Sequence, residues 1–483
     1  MSFSPESPLI AQAGEQYQEF EMDLLPEGLA RDSLKYYYLS VYPGLKQMHE
    51  LTPDEQPELP DKVETAYVHT PYCTGVCDFC SYFLTTVKED DRSPLTEYLE
   101  VVKEEVLQRS VETDLDLSYI YFGGGTPSLI PTPALESFFD FLNEHDVLSP
   151  THYGTIEIHP EFFKDLNRAQ EFINILKANG IGRVSVGFQS SDEEILGDTN
   201  RRHGTNFLTE ALDFLKQNEM LVNLDLIYGL PGLTLPQWER TLRDASAANP
   251  DSISTYFLFV NPGTAMRTEI ERGNIVLPSH QAAQTQHLMA QLYLQDLGFV
   301  ELPSDFYAKT DADSSTFTQD TLPSAGASLP LGAGSYGYYD NTQFFNQFSL
   351  QKYRERVTAG ESPIWRGHRF EGTEGAHRDM MFSFKNSPYV DRGLFKDRYG
   401  IDPVDQFADT FDVLSQYKLV DIDDESQRIT LTPKGRLCVE EICSQFAIPG
   451  LADNSVGASR SEKRKLEKHN FVPLYGIVQL PEA

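Results

Sequence analysis

The stretch YVHTPYCTGVCDFCSYF, residues 67–83, places three of the chain's five cysteines within eight positions. Their spacing is Cys73-x3-Cys77-x2-Cys80, with no fourth cysteine close enough to complete a local tetrahedron. A structural zinc takes four ligands, commonly as two cysteine pairs far apart in sequence, and no second pair exists here. A disulfide between two of the three would strand the third. A [4Fe–4S] cluster fits better, because each thiolate takes one iron and the missing protein ligand leaves the fourth iron open. At this cysteine content, chance alone would give the spacing about 5 × 10⁻⁴ times in such a chain.

The composition sets limits around that motif. The 483 residues give a prior of about three domains. A formal charge of −34 argues against a general affinity for nucleic acid or anionic lipid, and reads as a solubilising surface. The mixed-charge stretch SRSEKRKLEKH, 459–469, reads as a solvated helical face. No run of 18 apolar residues occurs, so no membrane span is expected. The acidic N-terminus lacks the basic and apolar regions of a secretory signal, and the few cysteines are unevenly clustered. Both features point to a reducing, cytoplasmic setting.

Outward from the motif, strand-like and helix-like segments alternate. Strands are expected at 65–71, 117–125, 154–160, 182–190, 221–230 and 252–260. Between them lie apolar residues three and four apart, as in PALESFFDFLNEH and DLNRAQEFINILKANG. Six such βα units predict an α/β fold: a partial (β/α)6 TIM-like barrel, its chemistry at the C-terminal ends of the strands. The cysteine loop follows the first of them. The expected organisation is an N-terminal extension over 1–60, the barrel over 61–300, and a Gly-rich connecting segment over 301–364 packing on the barrel. Residues 365–446 then form a winged-helix-like α+β domain, and 447–483 a tail. Residues 311–328 read as an exposed loop, and segments 1–60 and 305–345 as cover for the open barrel face. In the C-terminal domain the acidic turn DIDDES opposes DNA binding, and Cys438 and Cys443 read as buried, inert thiols.

The barrel strands carry polar residues at their ends. FGGGTPS, Phe122–Ser128, follows the second strand, and its glycines let backbone approach a ligand closely. Glu157 ends the third strand, Gln189 ends the fourth, and Asp225 lies in the fifth, each among apolar neighbours. Three such residues on consecutive strands read as the lining of a site.

Cys-x3-Cys-x2-Cys is the signature of the radical S-adenosylmethionine (SAM) superfamily, which this chain resembles. The resemblance implies that the open iron is chelated by the amino and carboxylate groups of SAM. It further implies that one electron from the cluster breaks the sulfonium C–S bond, giving methionine and a 5′-deoxyadenosyl radical. The motifs YVHTPYC, GGGTPS, IEIHP, RVSVGFQS with NRRHG, DLIYGLPG, LPLGAGSYGY and ITLTPKG, in this order over roughly 60–446, are similar to the oxygen-independent coproporphyrinogen III oxidase family. That similarity implies SAM contacts at Tyr67, Phe79, Gly124, Gly125, Thr126, Glu157, Gln189, Arg201 and Asp225, and by looser correspondence at Val260 and Tyr336.

The pattern also departs from that family. Coproporphyrinogen oxidases carry an extra cysteine two residues after the motif, where this chain has Tyr82. The related haem chaperones carry HNxxYW before the Gly-rich segment, where this chain reads SDFYAKTDADSST. A chain that keeps the SAM lining and lacks both marks resembles the radical C-methylases and cyclopropane-forming enzymes of the same family, thought to hold two SAM molecules. The expectation is therefore a radical enzyme using a [4Fe–4S] cluster and one or two SAM molecules to methylate or cyclopropanate a small metabolite. The alternatives are coproporphyrinogen III oxidative decarboxylation, with Arg202 and His203 near the propionates, and a haem chaperone. The resemblance implies ferredoxin or flavodoxin as electron donor. No general acid or base is assigned; Tyr336, Tyr338 and His159 are the candidates.

Overall fold

The computed structural model describes residues 7–34, 41–45, 47–201, 208–261, 263–303, 305–310, 328–448 and 451. Arg202, His203, the loop 311–327 and the stretch 459–469 lie outside them.

All six expected barrel strands form. They are β1 (Lys62–Thr70), β2 (Asp114–Gly124), β3 (Leu148–Ile158), β4 (Ile181–Gln189), β5 (Leu221–Tyr228) and β6 (Ser252–Phe257). They lie in sequential order, each parallel to the next. Alternation explains the faces. Ala66 and Val68 are buried two apart on β1, as are Val184 and Val186 on β4, whereas Val63 lies before a register shift; helices pack against the sheet. In the helix Thr132–Glu144, Ala134, Leu135, Phe138, Phe139 and Leu142 recur three and four residues apart and are all buried. Phe138 and Phe139 meet Phe122 of β2 edge-on, and such ring pairs add to the area they bury. In the helix Leu166–Ala178, the Asp165 carboxylate accepts the N–H groups of Asn167 and Arg168 and so fixes the first turn.

The sheet has nine strands rather than six. An antiparallel pair, β7 (Val300–Leu302) and β8 (Phe306–Ala308), extends it beyond β6. At the other edge β9 (Ser328–Leu331), the start of the Gly-rich segment, runs parallel to β1. That segment therefore prolongs the sheet. Its loop is fastened from behind: buried Glu105 accepts from Gly332 N–H at 2.8 Å and from Asn346 Nδ2 at 3.0 Å. Beyond it, β10 (Tyr336–Tyr339), β11 (Thr342–Asn346) and β12 (Ile364–Arg369) form a small antiparallel sheet with residues 49–50.

The N-terminal helix Pro8–Glu19 packs on the helices His280–Asp296 and Leu235–Ala247. It belongs to the outer layer and not to the open face, which corrects the expectation for that part of 1–60. Its buried residues Ile10, Ala13 and Tyr17 explain the choice, since they follow the spacing of one helical stripe. Near the C-terminus, β14 (Val420–Asp423) and β15 (Arg428–Leu431) pair across the acidic turn as expected, and a further strand, β13 (Tyr389–Asp391), joins them in spatial order β13-β15-β14. Thr432 caps the following turn by accepting from Gly435 N–H at 3.0 Å. Cys438 and Cys443 are fully buried. Among the described residues, no helix is long and apolar enough to cross a membrane.

Candidate radical-chemistry site

At the C-terminal ends of β1 to β6 lies a cavity of about 620 Å³. Cys73, Cys77 and Cys80 line one wall, with free and partly exposed thiols. Loops from other strands hold the cysteine loop in shape. Cys80 N–H donates to Cys77 O at 3.0 Å, and Asp78 N–H to Thr199 O at 3.0 Å. Asn200 Nδ2 donates to Val76 O at 2.8 Å. From the β6 side, Met266 N–H donates to Asp78 O at 2.9 Å.

Two side chains address the sulfurs directly. Arg201 Nη1 lies 3.5 Å from Cys77 Sγ, and Thr126 Oγ1 lies 3.2 Å from Cys73 Sγ. Burial pushes the Cys73 thiol up to about 11 and the Cys80 thiol to about 12. Iron reverses that preference, because a coordinating thiol is deprotonated by the metal.

The Gly-rich turn sits beside the cysteines. Gly125 N–H donates to Thr70 O at 2.8 Å and Thr126 N–H to Tyr72 O at 2.7 Å, tying the turn to the end of β1. A Cβ on Gly125 would lie 2.5 Å from Tyr72 O, and one on Gly124 2.6 Å from the His69 ring. Gly124 also has φ +108°, a conformation that favours glycine. His69, which sequence reading missed, is the floor beneath this turn. It is buried, its Nε2 is 3.1 Å from Phe83 O, and burial lowers its pKa to about 4.

Across from the glycines, Glu157 accepts from Tyr121 OH at 3.0 Å and from Gly124 N–H at 3.1 Å. Burial raises its pKa to about 8, and the nearby Asp225 charge adds to the shift. Asp225 is raised by burial too, against hydrogen bonds from Ser185 at 2.8 Å and Asn223 at 2.9 Å. Neither group bonded to Glu157 is cationic, so a buried carboxylate here asks for a positively charged ligand.

The cavity lining includes Phe79, Gly124, Gly125, Thr126, Glu157, Gln189, Arg201 and Asp225, together with His159. Tyr67, Val260 and Tyr336 are not part of it. Tyr67 stacks on Tyr121 with ring centroids 5.8 Å apart, Val260 is fully buried, and Tyr336 packs on Phe345 at 5.6 Å. Tyr338 lies under the Arg378 guanidinium, 3.4 Å from its ring centroid.

Sequence reading also missed a polar layer below the cavity. Asn223 Nδ2 donates to Ser185 and Ser254, and its Oδ1 accepts from Ser252 at 2.8 Å. The signal was available: polar residues recur at every second position, as Asn223 and Asp225 on β5 and Ser252 and Ser254 on β6.

The residues present suit a three-cysteine [4Fe–4S] cluster and a cationic, amino-acid-bearing ligand. Besides the carboxylates, Gln189 Oε1 and Arg201 Nε are buried with no hydrogen-bond partner among the described residues, and Gln189 has φ +68°. Unsatisfied groups and backbone in this conformation concentrate where a ligand completes the structure.

The fold, the cysteine triad and its glycine turn together are those of the α/β radical SAM fold. Residues 67–245 match the family described as the Radical SAM superfamily. The chain as a whole has distant relatives. It is 24% identical over 389 residues to the heme chaperone HemW of Bacillus subtilis, covering 80% of this chain and 99% of the relative. It is 23% identical over 403 residues to the oxygen-independent coproporphyrinogen III oxidase of Escherichia coli, covering 80% and 86%. The solved structure of coproporphyrinogen III oxidase (HemN) from Escherichia coli superposes with a TM-score of 0.72 at 22% identity, over 86% of this chain and 99% of that one. The fold is therefore the α/β radical SAM fold, with small additional sheets after the barrel. These relatives are coproporphyrinogen oxidases and haem chaperones, so they do not support the expected methyl transfer.

Proposed function

We propose that this chain is an enzyme that cleaves SAM reductively at a [4Fe–4S] cluster held by Cys73, Cys77 and Cys80, and acts on a tetrapyrrole-type substrate. Oxidative decarboxylation of a porphyrinogen is the favoured reaction, following the oxidase relative. One observation carries the reading: three cysteines, a glycine turn and two buried carboxylates converge on one cavity. When bound, cluster and SAM together supply one-electron reduction and hydrogen abstraction.

The chain's own residues do the rest. Glu157 and Asp225 attract the cationic ligand, which in turn holds both carboxylates ionised. Backbone at Gly124 and Gly125 receives the ligand's amino-acid end at close range. Arg201, with Nη2 bonded to Gly187 O at 2.5 Å, sets a positive charge against the Cys77 sulfur. Leu84, Ile227, Phe257, Leu258 and Phe259 keep water from the reacting centre and offer apolar surface to a ring substrate. Tyr82, 41% exposed at the cavity, stands where the oxidases have their extra cysteine, and this favours a haem chaperone as the second reading.

The test is anaerobic reconstitution with iron and sulfide, followed by SAM, dithionite and coproporphyrinogen III. Formation of 5′-deoxyadenosine, methionine and a decarboxylated product supports the proposal. Haem uptake with no 5′-deoxyadenosine from any substrate points to the chaperone. A methylated product accompanied by S-adenosylhomocysteine would restore the methylase reading. Cluster content unchanged in the triple Cys73→Ala, Cys77→Ala, Cys80→Ala variant would overturn the site itself.

A further inference from the structure

Thr126 ends the glycine turn and stands immediately before the short helical turn Pro127–Leu129. A threonine at that position ordinarily turns its hydroxyl on the N–H groups that follow, satisfying a donor the helix leaves open. Here it does not, and the Thr126 side chain makes no capping hydrogen bond. Backbone alone closes the turn: Leu129 N–H donates to Thr126 O at 3.0 Å, and Thr126 N–H donates to Tyr72 O at 2.7 Å. The main chain of Thr126 is committed on both sides, so the local shape does not require the hydroxyl.

The hydroxyl goes to a sulfur instead. Thr126 Oγ1 lies 3.2 Å from Cys73 Sγ, a residue 53 positions away in the chain. A thiol and a hydroxyl can each donate, but a thiolate bound to iron carries no proton, so there the hydroxyl is the donor. The other two sulfurs are served by different groups. Cys77 Sγ faces the Arg201 guanidinium at 3.5 Å, and Cys80 accepts the backbone N–H of Tyr82. Each cysteine of the triad thus has its own donor: a hydroxyl, a guanidinium and a main-chain amide. A hydrogen bond to a cluster sulfur favours the reduced form, because that form carries one more negative charge. Of these three donors, the hydroxyl alone can be removed without deleting a charge or altering the main chain.

We propose that Thr126 is a positioning residue for the cluster, its hydroxyl donating to the Cys73 thiolate and raising the potential at which the cluster takes up its electron. The inference rests on the reading of Cys73, Cys77 and Cys80 as cluster ligands. A higher potential lets a one-electron donor of given strength reduce a larger fraction of the protein. The family resemblance counts Thr126 among the SAM contacts, whereas this hydrogen bond gives the hydroxyl proton to the sulfur. The two uses are separable by experiment.

The experiment uses the full chain reconstituted anaerobically with iron and sulfide, in the absence of SAM and substrate. The variants are Thr126→Val, which exchanges the hydroxyl for a methyl at nearly the same shape, Thr126→Ala, and Thr126→Ser, which keeps the hydroxyl. Iron and sulfide content and the thermal midpoint show that each variant loads and folds. A redox titration followed by electron paramagnetic resonance reads the cluster potential, and calorimetry with S-adenosylhomocysteine reads the ligand site separately.

Thr126→Val is expected to lose about tenfold in the equilibrium constant for reduction, a shift of about 59 mV to more negative values for one electron. Thr126→Ala shifts in the same direction, and Thr126→Ser stays with the parent. S-adenosylhomocysteine binds the parent and Thr126→Val within about threefold of each other. Where Thr126→Val takes up no cluster, the difference between Thr126→Ala and Thr126→Ser decides by the same signs. A loaded Thr126→Val or Thr126→Ala with the parent's potential overturns the proposal. So does a Thr126→Ser variant that falls as far as Thr126→Val, since shape and not the hydroxyl then sets the potential. Lost affinity for S-adenosylhomocysteine at an unchanged potential overturns it too, and assigns the hydroxyl to the ligand. A parent chain that takes up no iron–sulfur cluster overturns the cluster reading itself, and this inference with it.

Discussion

The backbone N–H of Gly124 donates to Glu157 Oε2 at 3.1 Å, so the glycine turn after β2 and the carboxylate ending β3 are one unit. Burial raises the Glu157 pKa from its ordinary 4.5 to about 8. Between those two values the folded chain holds a proton that the unfolded chain has released. The contribution of Glu157 to stability therefore falls as pH rises through that window. Glu157→Gln keeps the shape and removes the ionisation. The thermal midpoint of the variant without ligand should depend less on pH between these values than that of the parent, as differential scanning calorimetry reads it.

The same carboxylate must ionise to receive a cation, so binding of SAM to the parent should release a proton near neutral pH. Its affinity should rise toward pH 8 and then level off. Glu157→Gln should bind about 10- to 100-fold more weakly and lose most of that pH dependence. Calorimetry in two buffers of different ionisation enthalpy measures the proton directly.

Gly125 admits no side chain, because a Cβ would lie 2.5 Å from Tyr72 O and 2.8 Å from Thr70 O. Gly125→Ala must push the turn off the end of β1. We expect a loss of about 1–3 kcal/mol in chemical denaturation and reduced cluster loading, since Thr126 moves with the turn away from Cys73.

Arg201 is bonded to Gly187 O and lies against Cys77 Sγ, and a positive charge beside a cluster thiolate favours the reduced cluster. Arg201→Met should retain iron yet shift the cluster's reduction potential to more negative values, read by an anaerobic redox titration followed by electron paramagnetic resonance.

Far from the cavity, Arg31 Nε pairs with Glu441 Oε1 at 3.0 Å with both side chains fully buried, joining the N-terminal segment to the C-terminal helix. Arg31 also meets His287 Nδ1 at 3.2 Å, and His287 Nε2 lies 2.7 Å from Asp305. Replacing one member leaves an unpaired buried charge: Arg31→Met should cost about 3–5 kcal/mol and the double variant with Glu441→Leu markedly less. A double-mutant cycle by urea unfolding reads the difference.

How far the sequence could be read depended on whether a feature was local. The cysteine spacing, the GGGTPS turn and the six βα repeats each reside in a few consecutive residues, and all could be recognised there. The partners of each side chain could not. His69 is recognisable as the floor of the site only once Gly124 is known to lie upon it, 55 positions later in the chain. The polar layer of Ser185, Asn223, Ser252 and Ser254 was visible as a period of two, but its hydrogen bonds need three strands in register. The N-terminal helix showed no sign of which surface it would cover, because an apolar stripe fits any complementary groove.

By itself, then, the sequence determined the cysteine triad and the repeating architecture, since both follow from spacing and periodicity along the chain. The tertiary structure alone decided that burial raises the Glu157 pKa to about 8, and that Arg201 and Thr126 address the cysteine sulfurs. Burial, charge proximity and hydrogen-bond satisfaction depend on distances between residues far apart in sequence, and only the folded chain sets those distances.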